Sequence, residues 1–267
     1  RRWISLAPVS FQPAELLKIG YVIYLAAWLS WIKTKITSLR WGLLPFGIMT
    51  ALSAGLLLLQ PDTGTVIVMV IAGGAMYFIS GARWRDLLIL FILGSIAVGA
   101  LVATRPYLID RLQTFANPAH DPLGSSYQIQ QSLIAVGSGR ITGRGFGQSV
   151  QKFNYLPEPT GDAIYAVIAE EFGFIGSIVV IILFLGFLFR GLWIARRAPS
   201  NFGRLLAAGL VTLIVVQSFV NIASVIGVFP LTGLPLIFMS QGGTALFFSL
   251  FAVGIILNIS KQRQKKA

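Results

Sequence analysis

The chain has no cysteine, a single histidine and only nine acidic residues among 267. Without cysteine there is no disulfide framework, thiolate metal site or cysteine nucleophile, and the redox compartment cannot be read. One histidine excludes a multi-histidine metal centre and any Ser-His-Asp triad that draws its imidazole from elsewhere; His120 reads as a loop residue. Charge of either sign is scarce, at 11% of residues against about 25% in an ordinary soluble domain. What fills the chain instead is apolar: 55% hydrophobic residues and a mean hydropathy of +0.79. A soluble globular protein is all but excluded.

Apolar runs near the roughly 20 residues that a bilayer requires recur along the chain. They predict seven spanning helices, at 13–31, 42–59, 64–80, 87–103, 163–189, 205–228 and 240–260, so the expected fold class is an all-α polytopic membrane protein forming a single membrane domain over 1–267. Lys+Arg outnumber Asp+Glu by 21 to 9, a formal charge of +12. In a soluble chain that excess would suggest nucleic acid, but here the cations cluster in every second junction: Lys33, Lys35 and Arg40; Arg83 and Arg85; Arg190, Arg196, Arg197 and Arg204; Lys261, Arg263, Lys265 and Lys266. No nucleic-acid partner is expected. By the positive-inside rule these junctions face the cytoplasm, which puts 60–64, 104–161 and 229–239 on the outer face. Residue 1, an arginine, then falls outside as well, so an odd number of helices is expected upstream and the chain reads as the C-terminal part of a larger protein.

The segment 104–161 far exceeds the usual connection of about 4–6 residues. Its aromatics, apolar positions and glycines predict a large, ordered extracytoplasmic loop rather than a disordered one. Within it, the glycine-rich stretch 137–147 lacks either nucleotide-binding fingerprint. Arg140, Arg144 and Lys152 share this loop with amides freed by glycine, which suits a phosphate or pyrophosphate headgroup; the alternative is a flexible basic loop.

Few acids means each can be weighed. Asp86 reads as a solvated junction residue, and Asp110 and Asp121 as loop carboxylates. Asp162 stands where an outer-facing helix begins, either as its N-cap or as a carboxylate held at the membrane interface to take a proton from a substrate. Glu170 and Glu171 follow eight and nine residues later, roughly 12–13 Å deeper on one continuous helix. Eight residues is an 80° offset, so Glu170 is expected to share the face of Asp162. At that depth a carboxylate is paired, protonated or beside water. Glu15 and Asp62 read as helix-start residues, and both lie on the predicted outer face with Asp162, which suggests a shared polar site. Residues 229–236, with two prolines and two turn glycine or threonine positions, cannot continue a helix and must be buried in protein or line a cavity.

Read together, these segments resemble the SEDS family (shape, elongation, division and sporulation) of the FtsW/RodA type. The matching stretches run in order: Arg2-Trp3-Ile4, FQPAEL at 11–16, QPDTGT at 60–65, DPLGSSYQIQQSLIAVGSG at 121–139, GRGFGQSVQK at 143–152, YLPEPTGDAIYAVIAEEFGFIG at 155–176 and VFPLTGLPLIFMSQGGTAL at 228–246. The resemblance implies a ten-helix fold of which seven helices are present, and a peptidoglycan glycosyltransferase that polymerises lipid II at the outer face of the bacterial cytoplasmic (inner) membrane, releasing polyprenyl pyrophosphate. It carries the catalytic aspartate onto Asp162 and further acidic positions onto Glu15 and Asp62. With the residue reading, this gives Asp162 as catalytic and Glu15, Asp62, Arg140, Arg144, Lys152 and Glu170 as substrate-binding. It implies as partners a class B penicillin-binding protein (a transpeptidase) and other divisome or elongasome membrane proteins. No cofactor is fixed, although a divalent cation stays open. Ala14, Thr160-Gly161, Ala163, Ile237 and Gln241 depart from the family pattern, and the Thr-Gly-Leu-Pro form leans toward the FtsW branch. A flippase or other transporter, using Glu170 and Glu171 as relays, and a non-catalytic division scaffold are the rival readings.

Overall fold

In the computed structural model, residues 3–6, 9–118, 121, 124 and 126–262 are described. His120 and the basic tail residues Arg263, Lys265 and Lys266 lie outside them, as does Arg2. The chain is helical almost throughout, with one addition the sequence did not announce: strands β1 (Ile4–Leu6) and β2 (Val9–Phe11) pair antiparallel before the first helix.

Helices then follow in the expected order: α1 (Pro13–Ile32), α2 (Leu44–Leu58), α3 (Thr63–Ile79), α4 (Trp84–Thr104), α5 (Pro106–Ala116), α6 (Tyr127–Ser138), α7 (Gln151–Asn154), α8 (Ile164–Arg196), α9 (Asn201–Val225) and α10 (Gly243–Gln262). Among the described residues, six helical stretches are long and apolar enough to cross a membrane, and α3, at 17 residues, is a shorter apolar helix. These account for all seven predicted spans. A π turn at Leu39–Leu43 leads into α2, and Pro13 and Pro106 open α1 and α5 where a missing amide costs nothing. The expected fifth span ended at 189, yet α8 runs to Arg196. Arg190 and Arg197 both lie over the ring of Trp193, 4.3 and 4.0 Å from its centroid, so charge ends the apolar run without ending the helix.

Two compact units make up the chain, each assembled from distant segments: 1–93 with 186–216 and 243–267, and 94–185 with 217–242. In the first, α1 packs on α3 and α10, and α2 packs on α3. Close approach is secured by glycine. A Cβ on Gly209 would stand 2.4 Å from the Met76 sulfur and 2.7 Å from Val22, so the helix backbones meet as small residues allow them to in membranes. Val22, Leu25, Ala72 and Met76 are fully buried there, and Phe46 stacks on Tyr77 at 4.6 Å.

The second unit holds the long loop, and that loop is ordered into α5, α6 and α7. Its core gathers Ala135, Leu156, Ala166, Phe184, Ile222 and Leu236, taken from the loop, both long helices and the irregular segment after α9. Residues 230–236 carry no regular structure, as the prolines require, and Thr232, Leu234 and Leu236 within them are buried.

Candidate active site

Backbone that leaves helical geometry inside a membrane protein must find partners elsewhere. In the segment after α9 several of the partners are side chains. Asn221 donates through Nδ2 to the carbonyl of Leu234 (2.7 Å) and to that of Asp162 (2.6 Å). Gln217 donates to Pro235 (3.3 Å), and Arg111 to Leu231 (2.9 Å). Ser240 Oγ accepts from the Leu236 amide, and the Gln241 amide donates to the Thr160 carbonyl at 2.7 Å. Asn221, which fastens two strands of chain at once, therefore fixes the backbone of Asp162 against the irregular segment.

Asp162 precedes α8 rather than lying within it. Its carboxylate accepts from Gln128 Nε2, at 3.1 and 3.2 Å to its two oxygens. Gly233, at φ +67, turns beside it, and a Cβ there would stand 3.7 Å from Asp162 Oδ2. A small pocket of about 10 Å³ opens at this carboxylate, lined among others by Gln128, Ser132, Asn221, Ser224 and Thr232. A larger cavity of about 240 Å³ shares Gln128 and Leu231 with it and is lined further by Asp110, Arg111, Thr114, Phe115 and Phe229. Burial pushes the Asp162 carboxyl above the usual range. The Gln128 hydrogen bond pulls it back down, nearby Glu158 pushes it up again, and Arg111 pulls it down more weakly. A half-buried carboxylate of raised pKa at a pocket mouth is equipped to accept a proton.

Glu170 and Glu171 form a different centre. The expected continuous helix breaks at Gly173 (φ 65, ψ −160), a conformation open only to glycine. The basic loop crosses this break: the Arg144 and Gly145 amides donate to the Glu170 and Glu171 carbonyls, both at 3.0 Å, and the Phe174 amide donates to the Arg140 carbonyl at 2.8 Å. Glu170, fully buried, accepts from Ser149 Oγ (2.6 Å) and from the Val150 and Gln151 amides (3.2 and 3.3 Å), with Arg144 Nε 3.5 Å away. Lys152 meets Glu171 at 2.5 Å. Glu170 thus turns toward the loop, because the break at Gly173 brings loop amides to it, and it is not among the residues lining the Asp162 pocket. Arg144 and Lys152 are engaged with these acids, and Arg140 is exposed.

Glu15 and Asp62 belong to the first unit, where each has local partners. Glu15 pairs with buried Lys18 at 2.8 Å, and Asp62 caps α3, accepting from the Thr65 amide (3.2 Å) and hydroxyl (2.9 Å). Four residues of the Asp162 site are not among the acids and loop-tip cations that the sequence pattern singles out: Gln128, Arg111, Asn221 and Thr232. A signal for one existed. Gln217, Ser218, Asn221 and Ser224 form a polar stripe at i, i+1, i+4, i+7 spacing in the C-terminal half of α9, and all four are buried. Among the described residues no group of three or more histidine or carboxylate ligands is placed to hold a metal ion.

Residues 1–265 match the FtsW–RodA–SpoVE family model, described as a cell cycle protein. Stage V sporulation protein E of Bacillus subtilis is 44% identical over 263 residues, covering 98% of this chain and 71% of the relative. A probable peptidoglycan glycosyltransferase FtsW of Nitrosococcus halophilus is 43% identical over 262 residues, covering 97% and 67%. Among solved structures, one on the structural coordination of polymerization and crosslinking by a peptidoglycan synthase complex aligns with a TM-score of 0.80 and 30% identity, over 98% of this chain and 74% of that one. The crystal structure of the rod shape determining protein RodA of Thermus thermophilus aligns at 0.68 with 28% identity, over 98% and 70%.

Proposed function

The chain belongs to the FtsW–RodA–SpoVE family of multi-pass membrane proteins, and on that premise we propose that it is a peptidoglycan glycosyltransferase whose catalytic base is Asp162. Its substrate is a lipid-linked disaccharide, lipid II, polymerised at the outer face of the cytoplasmic membrane. The observation that carries this reading is the Asp162 carboxylate, raised in pKa by burial and lining a small pocket that shares Gln128 and Leu231 with a larger cavity.

In the reaction, the acceptor sugar's hydroxyl oxygen forms the new bond to the donor's anomeric carbon. Its proton passes to Asp162, and the bond from that carbon to the diphosphate breaks with its electron pair, releasing polyprenyl diphosphate. Gln128 holds the carboxylate in place. Arg111, the cation lining the larger cavity, replaces the loop cations as the candidate to meet the leaving diphosphate, because Arg144 and Lys152 are already paired with Glu170 and Glu171. A positioned base contributes about 10²–10⁴-fold. A transporter relay would need Glu170 free to exchange partners, whereas its oxygens are held by a hydroxyl and two amides.

A crosslinking transpeptidase of the class B penicillin-binding type is the proposed partner, in keeping with the synthase complex that the chain resembles. The deciding experiment is lipid II polymerisation by Asp162→Asn in the full-length protein. Folded enzyme with wild-type activity overturns the assignment.

A further inference from the structure

Asn221 is 2% exposed, and its side chain can be oriented without ambiguity. Its two nearest partners, the Asp162 and Leu234 carbonyls, only accept hydrogen bonds, so the amide nitrogen must face both, and its two hydrogens are spent on them. The amide oxygen is then committed to the other side. Oδ1 is buried and has no hydrogen-bond partner among the described residues, and Asn221 lines the small pocket together with the Asp162 carboxylate.

Of the other polar side chains in that pocket, Gln128 donates to Asp162, and two serine hydroxyls have already spent their hydrogens. Ser132 Oγ donates to the Gln128 carbonyl (2.9 Å), and Ser224 Oγ donates to the Val220 carbonyl (2.5 Å) while lying 3.4 Å from Thr232 Oγ1. A buried amide oxygen left unpaired is costly, and the pocket walls hold little that could pay it back. What enters must therefore bring hydrogen: one donor for Asp162 and a second for Asn221. At about 10 Å³ the pocket admits a single hydroxyl-sized group, the one that meets Asn221, while the adjoining cavity of about 240 Å³ has room for the ring and its second hydroxyl.

Resting on the glycosyltransferase reading above, we propose that Asn221 is a specificity-determining residue for the acceptor sugar: its Oδ1 accepts a hydrogen bond from a hydroxyl flanking the one that Asp162 deprotonates. A sugar with adjacent hydroxyls satisfies both acceptors at once. A simple alcohol or a deoxy sugar satisfies one and leaves the other buried and unpaired, which is how a polar site rejects an analogue that lacks a donor.

The test crosses enzyme with substrate. Full-length wild-type protein and Asn221→Ala are assayed for transfer to three lipid-linked acceptors: the natural one and two deoxy analogues, each lacking one hydroxyl that flanks the reacting position. With wild type, one of the two analogues is expected to react roughly tenfold more slowly than the natural acceptor or worse. With Asn221→Ala the rate falls for the natural acceptor, and the difference between it and that analogue shrinks to within about twofold. A merely structural Asn221 would lower all rates and preserve the discrimination. The proposal is overturned if wild type uses both analogues as well as the natural acceptor, or if Asn221→Ala keeps the wild-type discrimination. Should Asn221→Ala fail to fold, the wild-type comparison still decides against the proposal, and Asn221→Ser supplies the smaller polar replacement. Wild type that makes no polymer from the natural acceptor would instead refute the glycosyltransferase reading.

Discussion

Asp162 and Glu170 stand eight residues apart and are solvated by the protein in opposite ways. Glu170 is sealed: a serine hydroxyl, two backbone amides and an arginine converge on it. Asp162 receives one side-chain donor, from Gln128, and faces a pocket. The first arrangement stabilises charge and closes a break in α8; the second leaves coordination capacity for something that arrives. A carboxylate in a membrane protein is a functional candidate by default, and the count and source of its partners distinguish these two acids better than depth does.

The contrast breaks most visibly through activity. Asp162→Asn should lower polymerisation by about 10²–10⁴-fold while leaving thermal stability close to wild type, whereas Glu170→Ala should lower stability by roughly 3 kcal/mol, because Ser149 and the amides of Val150 and Gln151 lose a charged acceptor. Melting curves and rates measured side by side check it; equal losses of stability in the two variants would erase the distinction. Next, Gly173→Ala should cost about 2–3 kcal/mol or prevent folding. Its backbone angles exclude a side chain, and a Cβ would meet the Gly143 nitrogen at 2.3 Å.

A sharper probe is the acid limb of the pH–rate profile. Asp162 must be ionised to act as base, so activity is present above its raised pKa and is lost as pH falls through it. Gln128→Ala removes a lowering influence and should move that limb to higher pH; Arg111→Gln should move it the same way by less; Glu158→Gln should move it to lower pH. Shifts of the opposite sign would mean that another group governs the limb. The smallest effect belongs to the surface of the sealed centre. Arg144 is 43% exposed and 3.5 Å from Glu170, so Arg144→Gln should change stability by less than about 1 kcal/mol, as seen in the midpoint of thermal unfolding.

Legibility in the sequence followed the range of the interaction. Helices were readable because an apolar run near 20 residues is a local property, and α1, α3 and α10 begin within a few residues of where hydropathy and caps put them. Asp62 announced itself as a cap because cap and amide are three residues apart. The turn of Glu170 toward the loop was hidden, since it depends on a glycine 30 residues beyond the loop's own Gly143 adopting a conformation that no hydropathy pattern records. Asn221 was hidden for a related reason: as a neutral residue in an apolar helix it looks like a tolerated exception, and only contact with Asp162, 59 positions away, gives it a task.

The amino-acid sequence by itself determined the solvent, the helical class, the broken segment at 229–236 and the scarcity of acids from which Asp162 had to be drawn. Each of these is fixed by composition or by neighbours within a few residues, where backbone sterics and the cost of burying a polar group act locally. Tertiary structure decided which acid is saturated and which is open, because hydrogen-bond partners from α6 and from the loop after it reach these carboxylates only when the second unit folds. A carboxylate's pKa and reactivity depend on that completed environment and not on its place in the chain.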